Sequence, residues 1–261
     1  MAIDYSFPEK TDFSIQIKDL RKTFDGKEFV LNGLNLKIPK GSLTAIIGFS
    51  GTGKSVMLKH LLGLFKPTSG YIEVLQQDLS SLSNEKLIQF RKNFGVLFQG
   101  SALFDDMTVL ENVCFPLIEH QSHLPVEKII EIAGTKLKQV GLDEKHFEKL
   151  PSQISGGMQK RTGLARALAL DPEILFYDEP TTGLDPILTE MVDNLIVETH
   201  QLHAGKTSVV ISHDLDAAFR IADYVAMLNA GQVLLFGKPE EFFNSEIELV
   251  KRFVTKGMKR K

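Results

Sequence analysis

The chain has 261 residues, 43% of them hydrophobic and 24% charged, with a formal net charge of −3. That length and apolar fraction suffice for one large domain, or one domain with a subdomain inserted, and the near-neutral balance argues against a nucleic-acid binder held by overall charge. A single cysteine, Cys114, excludes an internal disulfide and reads as a small apolar residue in a reducing compartment.

The start, Met1-Ala2-Ile3-Asp4-Tyr5, has no basic segment leading into an apolar run, so no signal peptide is expected. Nowhere do about 18 apolar residues run together, so no bilayer span is predicted either. The expectation is a soluble, cytoplasmic chain, for which any membrane association would have to come through a partner. Phe13, Ile15 and Ile17 alternate onto one strand face, and Leu34, Leu36 and Ile38 onto another, before Pro39-Lys40-Gly41 makes a turn. An apolar strand from Leu43 to Ile47 follows, then a Gly-rich loop and a helix from Lys54 to Phe65 that Lys66-Pro67-Thr68-Ser69-Gly70 ends. Tyr71 to Leu75 reads as a further strand. From Ser83 to Ser155 strand signals fade, and Ile129, Ile130, Ala133, Leu137 and Val140 recur at helical spacing, which predicts a mostly helical subdomain. Alternation then resumes with a strand at Ile174–Tyr177, a helix through Met191–His203, a strand at Ser208–Ile211, another helix, and a hairpin over Val225–Phe236 around Asn229-Ala230-Gly231. Strands alternating with helices predict an α/β fold with a parallel sheet.

Gly48-Phe49-Ser50-Gly51-Thr52-Gly53-Lys54-Ser55 matches G-x-x-x-x-G-K-[ST], with an apolar strand before it and a helix after it. The glycines let backbone N–H groups turn around phosphate oxygens. Lys54 supplies a point charge to the β- and γ-phosphates, Ser55 a hydroxyl for Mg²⁺, and the helix start a positive dipole end. The loop is therefore read as binding a nucleoside triphosphate. Ile174-Leu175-Phe176-Tyr177-Asp178-Glu179 is a buried-type strand that ends in two carboxylates, which suits a Mg²⁺ ligand at the mouth of a parallel sheet. Asp178 is assigned to Mg²⁺, directly or through water. Pro180 marks the strand's end and lets Glu179 turn toward the same site, where it could polarise the attacking water.

Kinases, GTPases and helicases share those two elements, so a third segment decides. In Ser155-Gly156-Gly157-Met158-Gln159 the serine can cap a helix, and the glycines permit close approach of an anion to its positive end. Here the chain resembles the ATP-binding cassette (ABC) family along nearly its whole length. Ser155–Gln159 resembles the family signature, with Met158 where Gln is commoner. Gln99 in Gly95-Val96-Leu97-Phe98-Gln99 resembles the Q-loop, and Gly183-Leu184-Asp185 the D-loop. His213 in Val210-Ile211-Ser212-His213-Asp214 resembles the switch histidine, and Phe24 sits where the family stacks an aromatic ring on adenine.

The resemblance implies a P-loop NTPase core with an N-terminal antiparallel β subdomain and an inserted α-helical subdomain. It divides the chain into a core of 1–82 and 170–236, a helical part with Q-loop and signature over 83–169, and a tail of 237–261. It further implies ATP and Mg²⁺ as cofactors, with Ser50, Gly51, Thr52, Gly53 and Val56 completing the phosphate loop and Gln99 joining Ser55 and Asp178 at the metal. Glu179, His213 and Gln99 would be catalytic. Two copies would pair head to tail, so that Ser155, Gly156, Gly157 and Asp185 of one close over ATP held by the other.

Within the family, Thr52 and Val56 in the loop, Phe98-Gln99-Gly100-Ser101-Ala102-Leu103-Phe104-Asp105, and the run after the signature through Asp171-Pro172 are similar to the Mla/MCE-associated branch. That branch powers phospholipid trafficking between bacterial membranes. The implied partners are a second ATPase subunit, an integral membrane permease, an MCE-domain protein and a small accessory subunit, with no nucleic acid. The implied location is the cytoplasmic face of the inner membrane, held there by the permease. An importer cassette for a polar solute, or an exporter cassette, would share every ATP-site residue. A soluble cassette acting on ribosomes or DNA would carry a second cassette or a long coiled-coil insert, and neither is read here. The basic end, Lys256-Gly257-Met258-Lys259-Arg260-Lys261, reads as a solvated terminus, or as an arm for a partner or anionic lipid. His120 and His123 read as surface residues.

Overall fold

Alternating apolar residues give the N-terminal stretch its two long strands, β1 (Phe13–Thr23) and β2 (Phe29–Pro39), which pair antiparallel. Ile15, Ile17, Leu34, Leu36 and Ile38 are buried, as period-two alternation requires of one sheet face, while Phe13 at the strand's start is half-buried. These coordinates come from a computed structural model, which describes residues 7, 8 and 10–257. The first five residues and the basic end Met258-Lys259-Arg260-Lys261 lie outside the described residues.

Strand β3 (Leu43–Ile47) is buried at every position and runs into the glycine-rich loop and helix α1 (Lys54–Leu61). Strands β4 (Ser69–Val74) and β5 (Gln77–Asp78) join the first pair in a four-stranded antiparallel sheet of order β2-β1-β4-β5, and α2 (Asn84–Phe90) follows, capped by the Ser83 hydroxyl.

The chain folds as two compact units. The first uses the described residues up to Arg91 and from Ala204 onward, and the second is Lys92–His203. The second opens on β6 (Phe94–Leu97), a strand inside the stretch expected to be helical. Four residues interrupted by Gly95 are too short to show a period, and β6 is fixed by parallel pairing with β7 (Ile174–Asp178) further on, with Phe94 opposite Ile174 and Leu97 opposite Tyr177. Between the two strands lie α3 (Val109–His120), α4 (Val126–Gln139) and α5 (Gly156–Leu168), and α6 (Pro186–Leu202) closes the unit. Helix α4 buries Ile129, Ala133 and Leu137 as one stripe and Val140 just after its end, whereas Ile130 is exposed. Neighbouring helical positions lie about 100° apart, so one narrow stripe takes only one of the pair.

Back in the first unit, β8 (Thr207–Ile211), α7 (Leu215–Ile221), β9 (Tyr224–Asn229) and β10 (Gln232–Gly237) restore the alternation. Strand β3 pairs parallel with β8 on one side and β9 on the other, and β9 and β10 form the expected antiparallel hairpin. Its turn has positive φ at both Ala230 (47°) and Gly231 (74°), the backbone that tight two-residue hairpins need. Two helices follow among the described residues, α8 (Pro239–Phe243) and α9 (Glu248–Gly257). The α/β class expected from the alternation is borne out, parallel strands with helices joined to an antiparallel sheet. No helix among the described residues is long and apolar enough to cross a membrane.

Cys114 is buried in α3, and that burial, with Glu111 nearby, pushes its thiol up to about 11, so it stays protonated at neutral pH. His120 and His123 are exposed. Two residues before Cys114, the wholly buried Asn112 holds the preceding loop. Its Nδ2 donates to the carbonyls of Phe104, Met107 and Thr108 at 3.0–3.1 Å, and its Oδ1 accepts from the Phe104 N–H at 2.9 Å. Replacing Asn112 by Leu keeps the volume and takes the side-chain partner from the Phe104 N–H and the Met107 carbonyl, while the Phe104 and Thr108 carbonyls keep the N–H groups of Met107 and Asn112; each buried group left unpaired costs about 1–3 kcal/mol. Urea unfolding of Asn112→Leu should show a loss on the order of 3 kcal/mol.

Candidate functional site

The phosphate loop is shaped by two close backbone approaches within the first unit. A Cβ on Gly48 would lie 2.4 Å from the Leu228 carbonyl oxygen of β9, and one on Gly53 would lie 2.7 Å from a Leu31 methyl of β2. Gly53 also has φ 102°, a left-handed conformation that favours glycine, and it hands the chain directly to α1. Lys54 is buried, and its ammonium donates to the carbonyls of Gly48 at 2.7 Å and Phe49 at 3.1 Å. The Thr52 hydroxyl donates to the same Phe49 carbonyl at 2.9 Å. Ser50, Gly51 and Ser55 are exposed, Val56 is half-buried, and a Cβ on Gly51 would meet nothing within 4 Å. The loop is thus seated against β2 and β9 on one side and open on the other. There the first N–H groups of α1, which no intrahelical carbonyl reaches, can receive an anion.

Two further predicted residues belong to this unit. Phe24 is 61% exposed at the end of β1, with the Phe65 ring edge-on at 5.5 Å and the Lys22 ammonium 5.1 Å from its centroid. A ring held on one side and exposed on the other is a stacking platform. His213 is exposed just after β8, between two local hydrogen bonds: the Asp214 N–H donates to Ser212 Oγ at 2.9 Å, and Asp214 accepts from the Ala217 N–H at 3.1 Å to cap α7.

The second unit holds the acidic pair, Gln99 and the signature segment. Asp178 ends β7, half-buried. Glu179 follows with φ 49°, in the left-handed region that non-glycine residues seldom adopt, and its Oε2 accepts from the Thr182 hydroxyl at 3.0 Å. Backbone strain of this kind costs about 1–3 kcal/mol and gathers at functional positions. Ser155 caps α5, accepting from the Met158 N–H at 3.3 Å; both Ser155 and Gly156 are exposed, and a Cβ on Gly156 would meet nothing within 4 Å. Gly157 is half-buried, its missing Cβ 3.4 Å from a Leu188 methyl. Asp185 caps α6, its Oδ1 accepting from Ile187 N–H at 2.9 Å and Leu188 N–H at 3.0 Å.

Sequence reasoning passed over two cations on α5 that hold the Gln99 segment. The buried Lys160 ammonium donates to the Gln99 carbonyl, and burial depresses its pKa. Arg166 donates to the carbonyls of Ser101 at 2.8 Å and Ala102 at 2.7 Å, where both residues have positive φ (61° and 48°). Gln99 itself is exposed. The only signal in the sequence was three cations on one helix, Lys160, Arg161 and Arg166, and nothing in their spacing says which loop each meets.

Taken unit by unit, the donors and the shape of the loop suit parts of a magnesium nucleotide. In the first unit Ser55 offers a hydroxyl and in the second Asp178 a carboxylate, each a hard oxygen donor of the kind Mg²⁺ takes. The loop offers N–H groups, a fixed ammonium and glycines where a side chain would block approach.

The ABC transporter family profile matches residues 31–182. An intermembrane phospholipid transport system ATP-binding protein, MlaF, from Haemophilus influenzae is 41% identical over 92% of this chain and 89% of its own. A probable ribonucleotide transport ATP-binding protein from Mycobacterium leprae is also 41% identical, over 92% of this chain and 68% of its own. Among solved structures, the ATP-binding cassette MJ0796, a dimer in a post-hydrolysis state with ADP and Pi, matches with a TM-score of 0.77 at 34% identity, covering 86% of this chain and 98% of that one.

Asp185 has a capping role whatever nucleotide does. Asp185→Ala should lower stability by about 1 kcal/mol, and Asp185→Asn by much less, in thermal melts recorded without nucleotide.

Proposed function

The chain belongs to the ABC transporter family, and we propose that it powers phospholipid trafficking across a bacterial envelope through a membrane permease. It is an ATPase. The observation that carries the phospholipid reading is the 41% identity to MlaF over nearly the full length of both chains. A methionine import ATP-binding protein from Mannheimia succiniciproducens is 39% identical over 92% of this chain, which favours as a second reading an importer cassette for a polar solute.

In this reading each residue acts through the chemistry of its own group. The Lys54 ammonium and the first N–H groups of α1 bind the β- and γ-phosphates, and Phe24 stacks on the adenine. Ser55, Asp178 and Gln99 would hold Mg²⁺, whose charge offsets that of the phosphate oxygens. Glu179 orients and polarises the attacking water, and His213 contacts the γ-phosphate. Two copies pair head to tail, with Ser155, Gly156, Gly157 and Asp185 of one closing over the nucleotide of the other. ATP then favours association and hydrolysis releases it, and the permease follows that two-state motion. The complex sits at the cytoplasmic face of the inner membrane, with an MCE-domain protein and a small accessory subunit as further partners.

The test is affinity purification from native membranes of the Glu179→Gln form, which binds ATP without hydrolysing it and so holds the complex together. A multispanning permease, an MCE-domain protein and extractable phospholipid in the purified material is the expected result. A permease accompanied by a solute-binding protein, without lipid, would replace the phospholipid reading by the importer.

A further inference from the structure

One side chain of the phosphate loop is not explained by phosphate chemistry. Between Gly48 and Gly53 every residue is glycine, serine or threonine except Phe49, whose ring is 46% exposed. That ring meets Phe253 of the C-terminal helix α9, edge to face, with centroids 4.5 Å apart and planes at 71°. The two residues are about 200 positions apart in sequence, so the contact exists only when α9 is docked.

Helix α9 does not need Phe49 in order to dock. Its Val250 is wholly buried and Val254 nearly so, and both belong to a core cluster with Ile47 and Met227, the last residue of β3 and its partner on β9. The loop, by contrast, has no other large apolar side chain by which to be held. The Phe49 backbone is also the loop's internal hub. Its carbonyl accepts from the Lys54 ammonium at 3.1 Å, from the Thr52 hydroxyl at 2.9 Å and from the Thr52 N–H at 3.4 Å. A ring held in place restricts the backbone at Phe49, whose carbonyl is one of the two, with that of Gly48, on which the ammonium rests.

We propose that Phe253 is a positioning residue for the nucleotide site: through its ring contact with Phe49, the docked helix α9 holds the phosphate loop in the conformation that presents Lys54. The inference rests on the reading of this loop as the phosphate-binding element. With the ring removed, the loop samples more conformations, and ligand binding must bear the cost of ordering it. By linkage the effect is reciprocal, so whatever displaces α9 from its seat weakens nucleotide binding, and nucleotide favours the seated helix. The C-terminal helix is thereby a point at which a partner or a second copy can set the affinity of the site.

The experiment is calorimetric titration of the full chain with MgADP, for wild type, Phe49→Ala, Phe253→Ala, Phe253→Tyr and the Phe49→Ala/Phe253→Ala double variant. An aromatic edge contact corresponds to a change in Kd of roughly 2- to 10-fold. Phe253→Ala should raise Kd by that factor, and Phe253→Tyr, which keeps the ring, should restore it. On the Phe49→Ala background, Phe253→Ala should add nothing, a non-additivity that simple loss of helix packing would not produce. If Phe253→Ala does not fold, Phe49→Ala carries the test alone, because it leaves Val250 and Val254 in place and should raise Kd by the same factor. Wild-type affinity in either single variant, or full additivity in the double variant, overturns the proposal. Failure of the wild type to bind MgADP would instead overturn the nucleotide reading of the loop, and the proposal with it.

Discussion

A buried ammonium must be satisfied, and in this protein that requirement organises the phosphate loop. Lys54 lies out of solvent and donates to the carbonyls of Gly48 and Phe49, so the loop curls around its own lysine. The curl is possible because Gly48 approaches the β9 backbone too closely for a Cβ, and because Gly53 turns left-handed onto the start of α1. Those same features leave the outer side of the loop open, with small residues and helix N–H groups facing it. The arrangement that satisfies the lysine is also the one proposed to receive phosphate.

The second unit has an organiser of a similar kind in α5. Its first turn, capped by Ser155 and bare at Gly156, presents the positive end of the helix, while Lys160 and Arg166 further along tie down the Gln99–Ala102 backbone. The segment expected to sense nucleotide and the segment expected to close over it therefore share one rigid element. A displacement of α5 carries both, and Asn112 holds the loop that continues from them. An element tied at both ends in this way is one means by which a local change can be carried to a partner.

Much of this was legible in the residues, for physical reasons that differ from one element to the next. Alternation placed Ile15, Ile17, Leu34, Leu36 and Ile38, because period two has only one way to be buried. The phosphate loop was legible because glycine, lysine and hydroxyl at fixed spacing have few other uses, and the caps by Ser155 and Asp185 follow from local chemistry. Strand β6 was not legible: it is four residues long, lacks a period, and is fixed by pairing with a strand some eighty positions away. Ile130 was misplaced because helical spacing alone does not say how wide the buried stripe is. The contacts of Lys160 and Arg166 were hidden for the same reason as β6, since each joins residues more than sixty positions apart, while those of Asn112 are local and were simply not signalled by its residue type.

The central claim is that the loop of one copy and the α5 start of another bind the same nucleotide. Sedimentation of the Glu179→Gln form, alone and combined with Ser155→Arg, with ATP and with ADP, tests it most directly. Glu179→Gln should dimerise with ATP and remain monomeric with ADP, and adding Ser155→Arg should abolish the dimer while nucleotide still binds to each monomer. An ATP-dependent dimer that survives Ser155→Arg would contradict the claim.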